Sequence, residues 1–327
     1  MRHWRRGAAV LLAGLVATVA AGAVWADAPA RDESGTWLAA VREAADGIGA
    51  AMPGAAKAEQ RQKRCPMSFS VDYTLTSDYI WRGINNSEPS GEGREKLNHQ
   101  MGIGFAYDTK KFGTIGGLIW LEWYGDQDRL TRDCGDHLQE VDYVAYWSYD
   151  VEPIATEVEV GWIGYQFPQL SGDAQCTHEA YVVLRVDDSK LLKLPAPLLN
   201  PYVALYMDVD DFARGCWLEF GVSHDFALAE MGCKGTPVLK DLTVTPSLVL
   251  GYDHRYLDKF FATDRGSSRV ANLQWGLDVT YDLSGALALP VRYGQLAVTG
   301  FLKFSDAVRD DLLNDEFHGG VTLAWAW

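Results

Sequence analysis

Beyond Cys65 the sequence alternates between apolar and polar residues, and this period of two continues to the end of the chain. In the stretch 271–283, every second residue from Leu273 to Leu283 is apolar, and the residues between them are polar or glycine. Such alternation gives a β-strand one apolar and one wet face, because successive side chains point to opposite sides. The pattern therefore predicts an all-β fold.

Twelve segments of this kind follow one another, each about long enough to cross a bilayer as a tilted strand. They lie at 67–79, 98–107, 113–124, 139–149, 154–166, 178–187, 201–209, 216–226, 241–253, 271–283, 290–305 and 316–327. Tight turns at 108–111 and 150–153 alternate with longer polar connections. An even strand number with short turns at one end is typical of bacterial outer-membrane barrels. We predict an antiparallel transmembrane β-barrel of about 12 strands over residues 65–327.

Composition agrees with this prediction and excludes two classes of protein. Acidic residues outnumber basic ones by 44 to 29, which gives a formal charge of −15 and argues against nucleic-acid binding. The mean hydropathy of −0.12 excludes a polytopic helical membrane protein. Barrel strands average near zero, because lipid-facing apolar residues alternate with lumen-facing polar ones.

The N-terminal region carries the features of an export signal. Three arginines precede an uncharged apolar run from Gly7 to Trp25, which predicts a signal peptide over residues 1–26, with a retained anchor as the alternative. Within residues 27–64, the spacing of apolar residues predicts a short amphipathic helix at 34–51, and the charged tract after it predicts a linker. Both are expected in the periplasm. A plug or a partner-docking helix is the alternative. The mature protein is expected in the bacterial outer membrane, in contact with its lipid.

Charged residues occupy the polar parity of the predicted strands and are expected to line the lumen. They are Asp72, Asp78, Arg82, Glu140, Asp142, Glu157, Glu159, Glu179, Arg185, Asp208, Asp278 and Lys303. A lumen with this excess of acids concentrates cations and repels anions. The alternatives are an acidic surface that keeps the protein soluble and, for Arg82, simple neutralisation of a neighbouring acid.

Aromatic residues near the strand ends are expected to anchor the barrel at the membrane interface. These are Tyr79, Trp81, Trp275, Tyr281, Trp325 and Trp327. A final alternating strand that ends in an aromatic residue also resembles the signal by which outer-membrane proteins are recognised for assembly. It implies the barrel-assembly machinery as a partner, although tryptophan stands here in place of the commoner phenylalanine.

Chemistry-bearing residues form no recognisable catalytic or metal-binding pattern in the sequence. The histidines lack metal-ligand spacing, and neither paired acids such as Glu157 and Glu159 nor any serine–histidine pair marks a catalytic site. We expect no enzyme activity, no metal and no cofactor. Among the five cysteines, Cys134 and Cys176 fall in consecutive outer loops and are the best candidates for a disulfide.

The stretch Ser77–Ile84, with the sequence Ser-Asp-Tyr-Ile-Trp-Arg-Gly-Ile, is followed by Asn-Asn-Ser at 85–87. It resembles the N-terminal motif of the TorF-type porin family, an outer-membrane barrel domain of unknown function. The resemblance covers residues 67–327, implies a transport role and supplies no catalytic residues.

The function expected from the sequence is passive diffusion of small cationic or neutral solutes through an acidic lumen. The alternatives are a non-conducting structural barrel filled by its own side chains and loops, a lipid-acting outer-membrane enzyme, and a secreted β-sandwich. The sequence leaves the transported solute and the oligomeric state open.

Overall fold

The computed structural model describes most of the chain beyond the predicted linker. The described residues are 66–87, 97–124, 137–170, 175–210, 215–232, 238–257, 261 and 268–327. The predicted signal peptide, the 34–51 helix and the linker lie outside them. Among the described residues, no helix is both long enough and apolar enough to cross a membrane.

Twelve long antiparallel strands make up nearly all of the described structure. They are β1 (Met67–Thr76), β4 (Asn98–Asp108), β5 (Thr114–Tyr124), β6 (His137–Val151), β7 (Thr156–Gln166), β8 (Cys176–Val186), β9 (Tyr202–Asp208), β10 (Cys216–Ser223), β12 (Leu242–His254), β13 (Ser268–Asp282), β14 (Gln295–Ala307) and β15 (Glu316–Ala326). The described residues also include three two-residue strands, namely β2 (Ile80–Trp81), β3 (Ile84–Asn85) and β11 (Phe226–Ala227).

Short helices occur in four of the described turn-side connections. The α-helices are Asp188–Leu192 and Leu283–Ala286, and the 3-10 turns are Glu152–Ile154, Leu239–Asp241 and Val291–Tyr293. The helix that begins at Asp188 starts where it does because the Asp187 carboxylate accepts hydrogen bonds from two backbone amides of its first turn. It lies in the connection between β8 and β9.

The strands close into a single 12-stranded barrel. Each long strand pairs with its neighbours, β1 pairs with β15, and β10 pairs with β12. The predicted fold is therefore confirmed, with strand ends that differ from the predicted ones by a few residues. One difference matters for the site: the first strand ends at Thr76, three residues before the predicted end.

The two faces of the wall differ as a closed barrel requires. Large apolar side chains such as Phe105, Leu302 and Val321 remain exposed on the outside, while burial alternates along strands such as β4. Inside, glycines leave room for rings on the next strand. A Cβ built on Gly116 or Gly161 would lie 2.3 or 2.4 Å from a tyrosine ring. Pairing glycine with an aromatic neighbour fills a narrow interior without overlap.

Candidate functional site in the barrel interior

The segment that follows β1 folds back into the barrel. Residues 79–87 are all buried, and β2 and β3 form a small hairpin within them. The Asn86 amide donates to the Tyr79 carbonyl at 2.8 Å, and the Tyr79 amide donates to Ser87 Oγ at 2.6 Å. We call residues 79–87 the inner hairpin.

The turn of the inner hairpin is set by Arg82 and Gly83, which both have positive φ angles of 51° and 79°. Two central residues with positive φ form the type I′ turn that tight hairpins prefer, and glycine adopts it at little cost. The sequence Trp-Arg-Gly-Ile therefore directs the Arg82 side chain to the tip of a hairpin. The segment 81–84 therefore does not continue the wall strand β1.

Arg82 forms a two-armed ion pair with Glu179 of β8. Its Nη1 donates to Glu179 Oε1 at 2.6 Å and its Nη2 donates to Oε2 at 2.9 Å, and each side chain is only 1% exposed. Tyr165 and Tyr256 donate their hydroxyls to the same carboxylate, at 3.0 and 2.5 Å. Parallel bonds between a guanidinium and a carboxylate are among the strongest in proteins.

Aromatic rings surround the same guanidinium. Arg82 Cζ lies 4.6 Å from the Trp81 ring centroid, 4.7 Å from those of Tyr206 and Tyr256, and 5.9 Å from that of Trp217. A cation within about 6 Å of a ring face is attracted by the quadrupole of the ring, and more strongly when both are out of water. The rings thus offset part of the cost of burying Arg82.

Arg82 and Tyr256, the two ionisable groups of this cluster that lie outside the wall strands, both keep their protons. Burial alone would lower the pKa of the Arg82 guanidinium, but the Glu179 carboxylate and the nearby Tyr256 and Tyr165 hydroxyls together outweigh it, so that the pKa lies well above its ordinary value. Burial, together with the same carboxylate, raises the pKa of the Tyr256 hydroxyl well above its ordinary value. Arg82 therefore stays charged, and Tyr256 remains a hydrogen-bond donor.

A second buried ion pair holds two more connections inside the barrel. Arg309 Nη1 donates to Asp253 Oδ2, and both side chains are fully buried. The other oxygen of Asp253 accepts from the backbone amides of Tyr256 and Leu257, at 2.7 and 3.1 Å. This pair positions the ring of Tyr256 against the guanidinium of Arg82.

The inner hairpin and the wall share a hydrophobic core. Trp81 contacts Tyr165 and Tyr256 at ring-centroid distances of 6.1 and 5.7 Å, and Tyr79 contacts Trp120 at 5.3 Å. The same buried cluster includes Leu257 and Leu313 from other connections. Side chains thus narrow the interior at the level of Glu179, in the half of the barrel where the longer connections begin.

Among the charged side chains buried on β5–β8, acids predominate. The buried acids of these strands are Glu122, Glu140, Asp142, Glu157, Glu159 and Glu179. The buried arginines facing them from the described residues are Arg82 and Arg185, and Arg185 Nη1 lies 3.2 Å from Glu159 Oε2. The wall made by β1, β13, β14 and β15 instead carries paired threonines, with Thr74 bonded to Thr322 and Thr280 to Thr299.

The residues predicted to line the lumen lie on the inward parity of the barrel or on the segment that follows β1. Those that are buried are Asp78, Arg82, Glu140, Asp142, Glu157, Glu159, Glu179 and Arg185. The partly buried ones are Asp72, Asp208, Asp278 and Lys303. Arg82 and Glu179 are brought together, as are Arg185 and Glu159. Whether these groups select solutes stays a prediction.

The predicted interface anchors divide into two groups. Trp325 and Trp327 are each 38% exposed, and Trp275 and Tyr281 are partly exposed. The prediction for Tyr79 and Trp81 is wrong, because both are buried inside the barrel, against Trp120 and Tyr165 respectively. Their alternation continues that of β1 in the sequence, but the strand ends at Thr76 and the chain turns inward.

The predicted disulfide is not tested. Cys134 lies outside the described residues, whereas Cys176 begins β8 as an exposed free thiol and Cys216 begins β10 as a partly buried one. The described residues also contain no group of three or more metal-ligating side chains that could hold a metal ion.

Sequence reasoning missed the aromatic part of the site and Arg309. Tyr206 and Trp217 share their parity with Asp208 and Glu219, so they lie on the same inward face as acids. That shared parity could have identified them. Arg309 lies in a connection without periodicity, and no signal in the sequence marks it.

Gly83→Val should loosen the inner hairpin. A Cβ at this position would lie 3.0 Å from Leu313 Cδ1 and 3.2 Å from Asn272 Nδ2, on a backbone with positive φ. We expect a cost of about 2 kcal/mol or more from strain and crowding. Trypsin should then cleave after Arg82 about tenfold faster or more, because cleavage follows the open population. Mass spectrometry of the fragments identifies the cut.

Gly232→Val is the matched control for this variant. Gly232 also has a positive φ, 93°, but among the described residues nothing lies within 4 Å of the Cβ it would gain. The control should leave cleavage after Arg82 unchanged. Equal cleavage of the wild-type protein and of Gly83→Val would contradict the packing described for the hairpin.

The comparisons with known proteins give structural neighbours only. No family model and no curated protein matches the chain, so its resemblance to TorF-type porins stays a prediction. Among solved structures, the chain is similar to a KdgM porin, with 13% identity and a TM-score of 0.39 over 79% of this chain and 99% of that one.

Two further solved structures show a comparable likeness. A NanC porin has 10% identity and a TM-score of 0.43 over 79% of this chain and 98% of its own. The COG4313 outer membrane channel from Pseudomonas putida F1 has 8% identity and a TM-score of 0.44 over 80% and 96%. At such values the likeness adds nothing to what the strand pairing already shows.

Proposed function

We propose that the protein is an outer-membrane channel through which small cationic or neutral solutes diffuse without any chemical step. The inner hairpin sets its narrowest point. The observation that carries this proposal is a closed barrel with an apolar exterior, buried acids on β5–β8 and, among the described residues, a hairpin folded into the interior. The TorF-type resemblance and assembly through the C-terminal strand are part of the same proposal.

The exterior supports a membrane location. Exposed apolar side chains recur on the outward parity of successive strands, as with Ile119, Trp162, Leu184 and Leu323. A monomeric soluble protein rarely exposes such a continuous apolar surface, whereas lipid requires one. Closure of the sheet also satisfies the backbone groups at every wall strand, which spanning a hydrocarbon layer demands.

The interior supports cation preference. The acids on β5–β8 outnumber the arginines that face them in the described part of the chain. In a narrow space with low-dielectric walls, such an excess raises the local concentration of cations and repels anions. The inner hairpin narrows the passage at Glu179, so steric selection acts on the same solutes.

The test is conductance of the purified, refolded protein in a planar bilayer under a salt gradient. We expect small discrete steps and a cation-selective reversal potential. Glu140→Gln, which removes a buried charge but keeps the hydrogen-bonding shape, should shift that potential toward zero. Glu152→Gln, at an exposed turn, is the matched control and should not. An anion-selective potential would overturn the proposal.

A non-conducting barrel is the second candidate, and one observation favours it. The buried aromatic cluster of the inner hairpin and the wall lies across the interior at the level of Glu179. A folded protein that shows heat-dependent mobility in detergent gels but no conductance steps, even after the hairpin is displaced, would support this reading over the channel.

A further inference from the structure

The pocket around Arg82 is built mainly by the wall and not by the inner hairpin. Glu179, Tyr165, Tyr206 and Trp217 lie on β8, β7, β9 and β10, and Tyr256 follows β12. The hairpin contributes Trp81 and Arg82 itself. Removing the Arg82 side chain would therefore leave a carboxylate, three phenol rings and an indole around a space of guanidinium shape.

The chemistry of this pocket matches one class of cation. Its carboxylate accepts both arms of a planar fork, at 2.6 and 2.9 Å, and the aromatic rings outside the hairpin have their centroids 4.7 to 5.9 Å from the central carbon. A guanidinium satisfies both features at once, since it is planar, stacks on rings and forms parallel bonds. An ammonium is a compact point charge and matches only the carboxylate.

The carboxylate is also held in position independently of Arg82. Tyr165 and Tyr256 donate to its two oxygens, and Tyr256 is in turn fixed through the backbone bond from its amide to Asp253. Donors that do not depend on the guanidinium keep the acceptor oriented when the guanidinium leaves. The pocket is therefore pre-organised for a ligand, which reduces the cost of binding.

Building on the proposed channel function, we propose that this pocket is a binding site for solutes that carry a guanidinium group, and that Arg82 occupies it as an intramolecular ligand. Such a solute competes with Arg82 and displaces the inner hairpin. A tethered ligand acts at an effective concentration on the order of millimolar. Binding to the wild-type protein should therefore be weaker than to a protein that lacks the Arg82 side chain.

The experiment is calorimetric titration of the refolded full chain with methylguanidinium chloride. Arg82→Ala should bind methylguanidinium saturably, at least about tenfold more tightly than the wild-type protein does. The double variant Arg82→Ala with Glu179→Gln should bind methylguanidinium about tenfold or more weakly than Arg82→Ala, because the carboxylate that accepts both arms of the guanidinium is gone. Methylammonium chloride at equal ionic strength should bind Arg82→Ala far more weakly.

Arg185→Ala is the matched control, since it also removes a buried inward arginine. Arg185 Nη1 contacts Glu159 at 3.2 Å and Glu157 at 3.8 Å, without the parallel two-armed geometry of Arg82. We expect it to bind methylguanidinium several-fold more weakly than Arg82→Ala. Equal binding by the two variants, or no saturable binding by folded Arg82→Ala, would overturn the inference.

A measurement on the wild-type protein covers the case in which Arg82→Ala does not fold. Methylguanidinium, but not methylammonium, should accelerate chymotrypsin cleavage after Trp81, because displacement exposes the hairpin. No acceleration would then overturn the inference. The two proposals fail in different ways. If only the channel proposal is wrong, the protein binds methylguanidinium but shows no conductance. If only the pocket proposal is wrong, the protein conducts but does not bind methylguanidinium.

Discussion

Arg82→Glu is expected to open the barrel and raise its mean conductance several-fold. The substitution places two carboxylates where Arg82 and Glu179 now form a fully buried pair. Leaving a buried charge unpaired costs about 3–5 kcal/mol, and a facing like charge adds repulsion. The inner hairpin should therefore leave the interior, which shifts the closed-to-open ratio by about two to four orders of magnitude. Single-channel recording in planar bilayers measures the change.

The charge-swapped double variant, Arg82→Glu with Glu179→Arg, provides the control. It restores opposite charges and should close the barrel in part, although the tyrosine hydroxyls would then face a cation in place of a carboxylate. Conductance of the double variant should fall between that of Arg82→Glu and that of the wild-type protein. A folded Arg82→Glu variant with wild-type conductance would show that the hairpin does not set the narrowest point.

The wall of the barrel could be predicted from the sequence because its signal is local. A strand with one lipid-facing and one inward face alternates over its whole length, so segments such as 271–283 identify themselves without knowledge of their partners. The even number of segments and the alternating connections then imply closure. The pairing of β1 with β15 confirms that step.

The inner hairpin could not be predicted from the same signal. Tyr79 and Trp81 continue the apolar parity of β1, so alternation alone extends the strand through them. The strand instead ends at Thr76, and the positive φ angles of Arg82 and Gly83 reverse the chain further on, at the tip of the inner hairpin. Gly83 is recognisable as a turn residue, but the sequence alone does not tell an outer loop from an inward hairpin.

Inward aromatic residues explain the remaining difference between the predicted and the observed interior of the barrel. Period two separates two faces, yet an aromatic residue suits either lipid or a packed interior. In this narrow barrel, rings such as those of Tyr181 and Tyr206 fill the space inside, and Gly161 makes room for Tyr181. The acids at the same parity, and not the hydrophobicity of the rings, indicate the correct face.

Arg309→Ala is expected to lower the free energy of unfolding by about 3–5 kcal/mol. Arg309 and Asp253 are both fully buried, and removal of the guanidinium leaves the Asp253 carboxylate without its cation in the interior. The backbone amides of Tyr256 and Leu257 still donate to that carboxylate, but two amide donors replace only part of the lost interaction. Detergent-gel mobility against temperature should show the folded band disappearing at a clearly lower temperature.

Two further variants decide whether burial is the cause of this loss. Arg269 pairs with Asp311 at 2.6 Å but is 46% exposed, so Arg269→Ala should cost about 1 kcal/mol or less. Combining Arg309→Met with Asp253→Asn removes both charges and should recover much of the stability lost in Arg309→Ala, because no unpaired charge stays buried. If Arg309→Ala unfolded no earlier than Arg269→Ala, the Arg309–Asp253 pair would not be what holds Tyr256 against the inner hairpin.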